Sequence, residues 1–245
     1  MSLLELNDVA RSYGGVKAVD GVSLSLAPGE WIGIIGPNGA GKSTLFNIIG
    51  GQVSVSSGKV SLLGRDVTRL RPDQRYRAGI SRSFQTSSLF PDLTVREQLT
   101  LACRQKSRWS VLRSWHSDKA LAARVDHLLD VWNLGRHEGS SLPDEMSYGA
   151  QRRLELALAV SSEPKLLLLD EPNVGLTASE CDDLRARIRE LDPTTAVVFV
   201  AHDMAMVMGW SHRVLVMHQG KMVADDTPEA IAKNPFVEEV YLGAQ

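Results

Sequence analysis

The sequence predicts an α/β fold in which a parallel sheet is interrupted by one helical insertion. Short continuous apolar runs at residues 31–35, 166–169 and 196–200 are typical of strands that are buried on both faces of such a sheet. A helix is predicted at 178–191, between the second and third of these runs. Helical periodicity dominates residues 94–161, which places the insertion before the later strands.

The remaining strands are predicted from alternation and from turn residues. Residues 3–35 are expected to form short strands, and residues 58–70 a hairpin. A second hairpin over residues 214–224 turns at Gln219 and Gly220, a pair that suits a two-residue connection. We found no internal repeat and no low-complexity segment in the sequence.

The helical insertion contains two local signals of its own. Thr94 and Glu97 have capping-box spacing, which predicts the start of a helix at this point. Apolar residues then recur at helical spacing over 119–134, and they are expected to face a core rather than to carry function. They are Leu121, Val125, Leu128, Leu129 and Trp132.

Composition restricts the classes of function. The chain has 245 residues, of which 43% are hydrophobic and 23% charged, a balance typical of a soluble globular protein. This length is sufficient for a single domain over 1–245 that includes a smaller subdomain. The formal net charge of −2 gives no global basic field that would favour nucleic acid as a partner.

Cysteine usage and apolar runs exclude further classes. Cys103 and Cys181 lie far apart, without a partner at metal-ligand spacing, which favours two reduced thiols. The N-terminal residues lack the charged lead and apolar stretch of a signal peptide, so none is expected. The longest apolar runs, such as 196–201, have the length of a strand, whereas a spanning helix needs roughly 20 apolar residues. The chain is therefore not expected to form a membrane channel itself.

A glycine-rich segment between a predicted strand and a predicted helix carries the first chemical signal. Residues 36–43 match the pattern G-x-x-x-x-G-K-S/T of a phosphate-binding loop. Backbone N–H groups and a helix N-terminus bind an anion, Lys42 reaches the β- and γ-phosphates, and Ser43 offers a hydroxyl to Mg²⁺. A glycine-rich turn that fits the pattern by chance is the weaker alternative. The candidate ligands of the nucleotide are Gly36, Pro37, Asn38, Gly39, Ala40, Gly41, Lys42, Ser43 and Thr44.

Two adjacent acids follow the apolar strand at 166–169. Asp170 is predicted to hold Mg²⁺ directly or through water, and Glu171 to orient or deprotonate the attacking water. The alternative is a pair of acids that simply cap a strand in solvent. Four leucines before them and a phosphate loop upstream argue against that alternative.

Two weaker candidates complete the predicted catalytic set. His202 follows the strand at 196–200 and is predicted to stabilise charge that develops at the γ-phosphate. The amide oxygen of Gln85 is predicted to reach Mg²⁺ or the attacking water. Either residue alone would be interpreted as structural.

A second phosphate-binding element is predicted at the start of another helix. Residues 146–153 precede a helix with apolar residues at helical spacing, and Ser147 can cap it. The helix dipole and the exposed N–H groups around Gly149 would face an anion.

With this element, the sequence resembles the ATPase subunits of ABC transporters over essentially its whole length. The resemblance is carried, in family order, by Tyr13, the phosphate loop, Gln85, the signature at 146–150, Asp170 with Glu171, and His202. It implies that Tyr13 stacks on adenine. It also implies that the chain hydrolyses ATP with Mg²⁺, in a head-to-tail dimer in which the signature of one subunit closes on the ATP of the other.

The resemblance also implies an architecture. A P-loop, RecA-like core with an antiparallel β subdomain is expected over about 1–93 and 163–245. A helical, signature-bearing subdomain is expected over about 94–162.

Two positions depart from the family pattern. Ala150 stands where the signature glutamine is usual, with Gln151 one place later. Thr177 replaces the usual Asp or Asn in the loop that meets the partner's site. Hydrolysis is still predicted because Ser147 and Glu171 remain, although a nucleotide-binding structural subunit with little turnover is an open alternative.

Several stretches are similar to the ATPase subunits of branched-chain amino acid importers and of their urea-type relatives. They are residues 84–86 with 89–95, the Ser-Tyr-Gly signature with 152–155, and the ending at 234–243. This similarity implies a second ATPase subunit, identical or paralogous, together with membrane permeases and, indirectly, a solute-binding protein. It also implies a peripheral position on the cytoplasmic face of the inner membrane. The alternatives are a lipopolysaccharide-export ATPase, which shares the Tyr-Leu-Gly ending, and a soluble ABC ATPase that does not transport.

A basic stretch with interleaved tryptophans remains open. Residues 104–119 include five Lys or Arg residues, Asp118, Trp109 and Trp115. The stretch could lie against anionic headgroups or the permease, or it could be a solvated face of the helical subdomain.

Overall fold

The computed structural model describes residues 2–83, 89–104, 118–135 and 138–242. Gln85 and most of the basic stretch at 104–119 lie outside the described residues. The chain divides into two compact units. The first unit comprises Met1–Arg82, Lys165–Pro172 and Pro193–Gln245, and the second comprises Ser83–Pro164 and Asn173–Asp192.

Ten strands and nine α-helices lie within the residues that the structure describes. The strands are β1 (Leu4–Tyr13), β2 (Val16–Leu26), β3 (Trp31–Ile35), β4 (Ser57–Leu62), β5 (Arg65–Asp66), β6 (Ile80–Arg82), β7 (Leu166–Asp170), β8 (Ala196–Val200), β9 (Arg213–His218) and β10 (Lys221–Asp226). The helices are α1 (Lys42–Gly50), α2 (Pro72–Ala78), α3 (Val95–Arg104), α4 (Lys119–Val131), α5 (Tyr148–Val160), α6 (Ala178–Arg189), α7 (Met204–Trp210), α8 (Pro228–Ala232) and α9 (Pro235–Leu242).

A six-stranded sheet forms the centre of the first unit, in the order β10-β9-β3-β8-β7-β6. The five strands from β9 to β6 pair in parallel, and β10 adds to β9 as an antiparallel hairpin. Every residue of β3, β7 and β8 is buried. The predicted buried parallel strands and the predicted hairpin over 214–224 are therefore confirmed.

A second, antiparallel sheet in the first unit has the order β2-β1-β4-β5. The predicted hairpin at 58–70 is confirmed, because Leu62 pairs with Arg65. The predicted short strands before residue 31 are in fact two long strands of 10 and 11 residues. They stay paired at length because one face alternates into the core, where Leu4, Leu6 and Val9 are buried.

Helix α1 carries the phosphate loop at its N-terminus, and its other end is held by Arg75. The Arg75 guanidinium is 1% exposed and donates to the carbonyl oxygens of Ile48 and Ile49, the latter at 2.6 Å. These carbonyls belong to the last turn of the helix, where the Ile48 carbonyl also accepts from the Gly51 N–H at 3.1 Å. Burial lowers the pKa of Arg75 to about 10, so the group stays charged at neutral pH.

The second unit is built from helices α3 to α6. Thr94 and Glu97 form the predicted capping box, with the Thr94 N–H donating to Glu97 Oε2 at 2.9 Å. In α4, Val125 and Leu129 are buried, as predicted for the apolar residues of 119–134. The predicted helical subdomain, 94–162, lies within this unit, which also includes residues 173–192.

Candidate functional site

The phosphate loop connects β3 to α1 in the first unit. The buried strand ends at Ile35, and Gly41 in the left-handed region (φ 101°) starts the helix at Lys42. A Cβ on Gly41 would lie 2.2 Å from the carbonyl oxygen of Ala18, and one on Gly36 would lie 2.2 Å from that of Met217. Only glycine fits at these two positions, because the loop is packed directly on neighbouring backbone.

Lys42 braces the loop from inside. Its ammonium donates to the carbonyl oxygens of Gly36 at 2.7 Å and Pro37 at 3.0 Å, and the residue is 6% exposed. Burial lowers the pKa of Lys42, and the Glu171 carboxylate partly opposes that shift. Since an ammonium carries three donors, a phosphate oxygen can be bound without breaking this brace.

The other loop residues differ in their access to solvent. Asn38, Gly39 and Ser43 are exposed, whereas Ala40 is 2% exposed. Thr44 is half-buried in the first turn of α1. The Ser43 hydroxyl is therefore placed at the start of the helix where solvent and a ligand can reach it.

Asp170 ends β7 as a buried carboxylate, 6% exposed. Its Oδ2 accepts a hydrogen bond from Nη2 of Arg82 at 3.0 Å, and the two side chains form a shielded ion pair. Arg82 also donates to Oδ1 of Asn47 at 2.5 Å, and its guanidinium lies 4.7 Å from the ring centroid of Phe46. Asn47 and Phe46 thus fix the Arg82 guanidinium, and Arg82 in turn orients the Asp170 carboxylate.

Sequence reasoning missed the role of Arg82. The residue ends β6, and it reaches Asp170 because β6 pairs in parallel with β7. A charged residue at the end of a short strand was the available signal. The neighbour of that strand was not evident from local sequence.

Glu171 and His202 lie together at the ends of adjacent strands. Nε2 of His202 lies 3.0 Å from Oε1 of Glu171, and the Glu171 N–H donates to the carbonyl oxygen of Val200 at 2.9 Å. Glu171 has a left-handed φ of 45°, a conformation that costs about 1–3 kcal/mol for a residue with a side chain. Backbone strain of this kind is concentrated at functional sites, where surrounding contacts maintain it.

Tyr13 lies at the end of β1, where its ring is 45% exposed. The guanidinium of Arg11 lies 4.6 Å from the ring centroid and covers one face. Tyr13 pairs with Val16 on β2, the strand that also carries Ala18 against the phosphate loop. The Tyr13 ring therefore lies on the hairpin whose second strand approaches the phosphate loop, and it offers an aromatic face.

Ser147 and Gly149 lie in the second unit, at the start of α5. Ser147 is the N-cap and accepts from the N–H of Ala150 at 3.3 Å, as predicted. Ala150 is buried, with 1% of its surface exposed. Nε2 of Gln151 donates to the carbonyl oxygen of Pro143 at 2.7 Å. Gln151 therefore braces the preceding turn and does not stand in for the glutamine that Ala150 replaces.

Thr177, the second departure from the family pattern, is the N-cap of α6. Its hydroxyl and N–H each lie 2.8 Å from Oε2 of Glu180, which completes a capping box. These hydrogen bonds, the backbone one first, lower the pKa of Glu180. The substitution thus preserves the start of the helix.

The structure brings together part of the predicted site. The phosphate loop, Asp170, Glu171 and His202 all belong to the first unit, at the carboxyl ends of neighbouring strands. Ser147 and Gly149 belong to the second unit, and Gln85 lies outside the described residues. Within the described ranges, no group of three or more His, Cys, Asp or Glu residues could hold a metal ion.

Comparison with known proteins decides the family. The ABC transporter family model matches residues 19–174. The chain belongs to the ABC transporter family. It is an ATP-binding and ATP-hydrolysing subunit of that family.

Individual relatives agree with this assignment over nearly the full length. The chain is 35% identical to the high-affinity branched-chain amino acid transport ATP-binding protein BraF of Pseudomonas aeruginosa, and the match covers 98% of each chain. The structure is similar to the ADP conformation of the ABC transporter cassette MJ1267, with a TM-score of 0.87, 28% identity and 99% of each chain covered. It is also similar to the dimeric bacterial cassette MJ0796, with a TM-score of 0.79, 26% identity, and 92% and 98% covered.

These comparisons confirm the predicted α/β fold and the predicted family. Across the part of the chain that the structure describes, no helix has both the length and the apolar character needed to cross a membrane.

The capping role of Thr177 can be tested by stability. Replacing Thr177 by Ala should lower the free energy of unfolding by about 1 kcal/mol, because the first turn of α6 loses its side-chain acceptor. Thr177→Ser, which keeps the hydroxyl, should match the parent chain in urea unfolding followed by circular dichroism. Equal stability of the Ala variant and the parent would contradict the role.

Proposed function

We propose that the chain is the Mg²⁺·ATP-driven motor subunit of an importer for branched-chain amino acids or related small polar solutes. It works in a pair with a second ATPase subunit and drives a separate membrane permease from the cytoplasmic face. The observation that supports the motor role most strongly is the grouping of Lys42, Asp170 and the Glu171–His202 pair at one edge of the parallel sheet.

The phosphates are held by the loop at 36–43. Its backbone N–H groups and the start of α1 provide partial positive charge, and Lys42 provides a full one. Because carbonyl oxygens already fix the Lys42 ammonium, it needs little rearrangement when phosphate binds. Tyr13 offers its free face to the adenine, a contact that contributes ~1–3 kcal/mol where aromatic side chains stack on bases.

The donor set suits Mg²⁺ that arrives with the nucleotide. The Ser43 hydroxyl is exposed at the start of α1, and Asp170 presents a carboxylate that the Arg82 guanidinium orients. Mg²⁺ keeps several waters and takes one or two protein oxygens together with phosphate oxygens. Two protein ligands are therefore sufficient, and Mg²⁺ would supply charge neutralisation between the β- and γ-phosphates.

We assign the remaining catalytic roles to Glu171 and His202. In our proposal the Glu171 carboxylate, which is 24% exposed, orients the attacking water and accepts its proton. His202 holds that carboxylate at 3.0 Å and, being 52% exposed, can also meet the γ-phosphate. Ser147 and Gly149 form the second phosphate-binding element, which in our proposal meets the nucleotide of the paired subunit.

The solute class is proposed from the relatives alone, since no residue of this site would contact the solute. BraF is named for branched-chain amino acid transport and matches 98% of each chain. Pairing is supported by the likeness to the dimeric cassette MJ0796.

Replacing Glu171 by Gln tests the motor role. ATP hydrolysis should fall at least ~100-fold, the usual effect of losing a general base, while ATP binding is retained. The ATP-bound pair should then accumulate, as measured by light scattering with phosphate release assayed in parallel. Glu5→Gln, an exposed acid on β1, is the control and should behave as the parent. Unchanged hydrolysis in Glu171→Gln would favour a structural subunit.

The solute class has its own test. The tagged chain should co-purify with permease subunits, and the complex reconstituted in liposomes should show ATPase stimulation by leucine, isoleucine or valine together with a solute-binding protein. The same complex carrying Glu171→Gln should show none. Stimulation only by lipopolysaccharide, or recovery of the chain without any membrane protein, would contradict the importer assignment.

A further inference from the structure

Tyr148 in the signature is an exposed aromatic residue with a specific contact. It is the first residue of α5 and is 55% exposed. Its hydroxyl donates to the carbonyl oxygen of Val174 at 3.3 Å, within the same unit. The ring is therefore directed at the loop that precedes α6 and not into the apolar core.

Gly175 in that loop provides the space for the ring. A Cβ on Gly175 would lie 2.3 Å from Cε1 of Tyr148 and 2.9 Å from Cζ, and real Cβ contacts essentially never fall below 3.0 Å. The residue also has a left-handed φ of 76°, which favours glycine. Any side chain at position 175 would therefore require the Tyr148 ring to move from this position.

A second close approach links the same two segments. A Cβ on Gly149 would lie 2.7 Å from Oε1 of Glu180, the residue that forms the capping box with Thr177. The first turn of α5 therefore contacts the start of α6 as well as the loop. Both contacts lie within the second unit.

We propose that Tyr148 is a positioning residue. Its ring packs on Gly175 and fixes the loop at 173–177 to the phosphate-binding start of α5, a contact that we call the lock. The two segments then meet the second ATPase subunit as one surface, so that ATP-driven pairing depends on the lock. This inference rests on the proposed function, because it assigns the lock to the pairing step.

A double-mutant cycle in the Glu171→Gln chain tests the lock. The variants are Tyr148→Ala, Gly175→Ala and the two combined. Gly64→Ala is the matched control, because Gly64 has a φ of 75° and no atom within 4 Å of an added Cβ. It introduces the same backbone strain without a clash.

Two quantities are measured for each variant. Hydrogen exchange by mass spectrometry reports the protection of amides in 173–180, and light scattering reports the chain concentration at which ATP drives half-maximal pairing. Pairing is followed with the chain itself or with the second ATPase subunit that co-purifies.

Each single variant should raise both the exchange rate and the pairing concentration by about tenfold. The double variant should lose less than the product of the two single losses, since both changes act on the same Tyr148–Gly175 contact. Gly64→Ala should match the parent, and ATP binding by the unpaired chain should be unchanged throughout.

Three results would overturn the inference. They are pairing by Tyr148→Ala at the level of the parent, losses that multiply in the double variant, and an equal loss in Gly64→Ala. A Glu171→Gln parent that does not bind ATP or does not pair would instead contradict the proposed function. The two failures are therefore distinguishable.

Discussion

The parallel pairing of β3, β8 and β7 is the constraint on which the candidate site depends. Ile34 pairs with Val200, and Val200 pairs with Asp170, so these three residues form one row across the sheet. The phosphate loop, His202 and Glu171 each follow this row within two residues. A slip of one register step would shift the phosphate loop relative to the carboxylates by one residue along the strand, about 3.3 Å.

Side-chain contacts then fix the orientation of the charged groups that the sheet brings together. Lys42 braces the loop through two carbonyl oxygens, Arg82 orients Asp170, and His202 contacts Glu171. In each case a cation or a polar ring is fixed before any phosphate must be bound. Prior fixation of this kind lowers the cost of reorganisation in the transition state.

Most of the fold and much of the site could be predicted because their signals are local. A few consecutive residues specify the phosphate loop, the capping box at Thr94 and the helix cap at Ser147. The structure contains each of these three features. Arg82 could not be predicted, because its role depends on the pairing of β6 with β7. The functions of Thr177 and Gln151 were equally hidden, since helix caps and turn braces involve groups that the family pattern does not describe.

ATP binding at the Lys42 loop is the central claim, and calorimetric titration of the isolated chain with ATP and Mg²⁺ tests it most directly. Lys42→Ala should bind ATP at least ~10-fold more weakly than the parent, since a hydrogen bond to a charged group contributes about 1.5–3 kcal/mol. Lys59→Ala, which removes an exposed lysine of the first unit, should bind as the parent does. Equal affinity of the Lys42→Ala chain and the parent, with both folded by circular dichroism, would contradict the account.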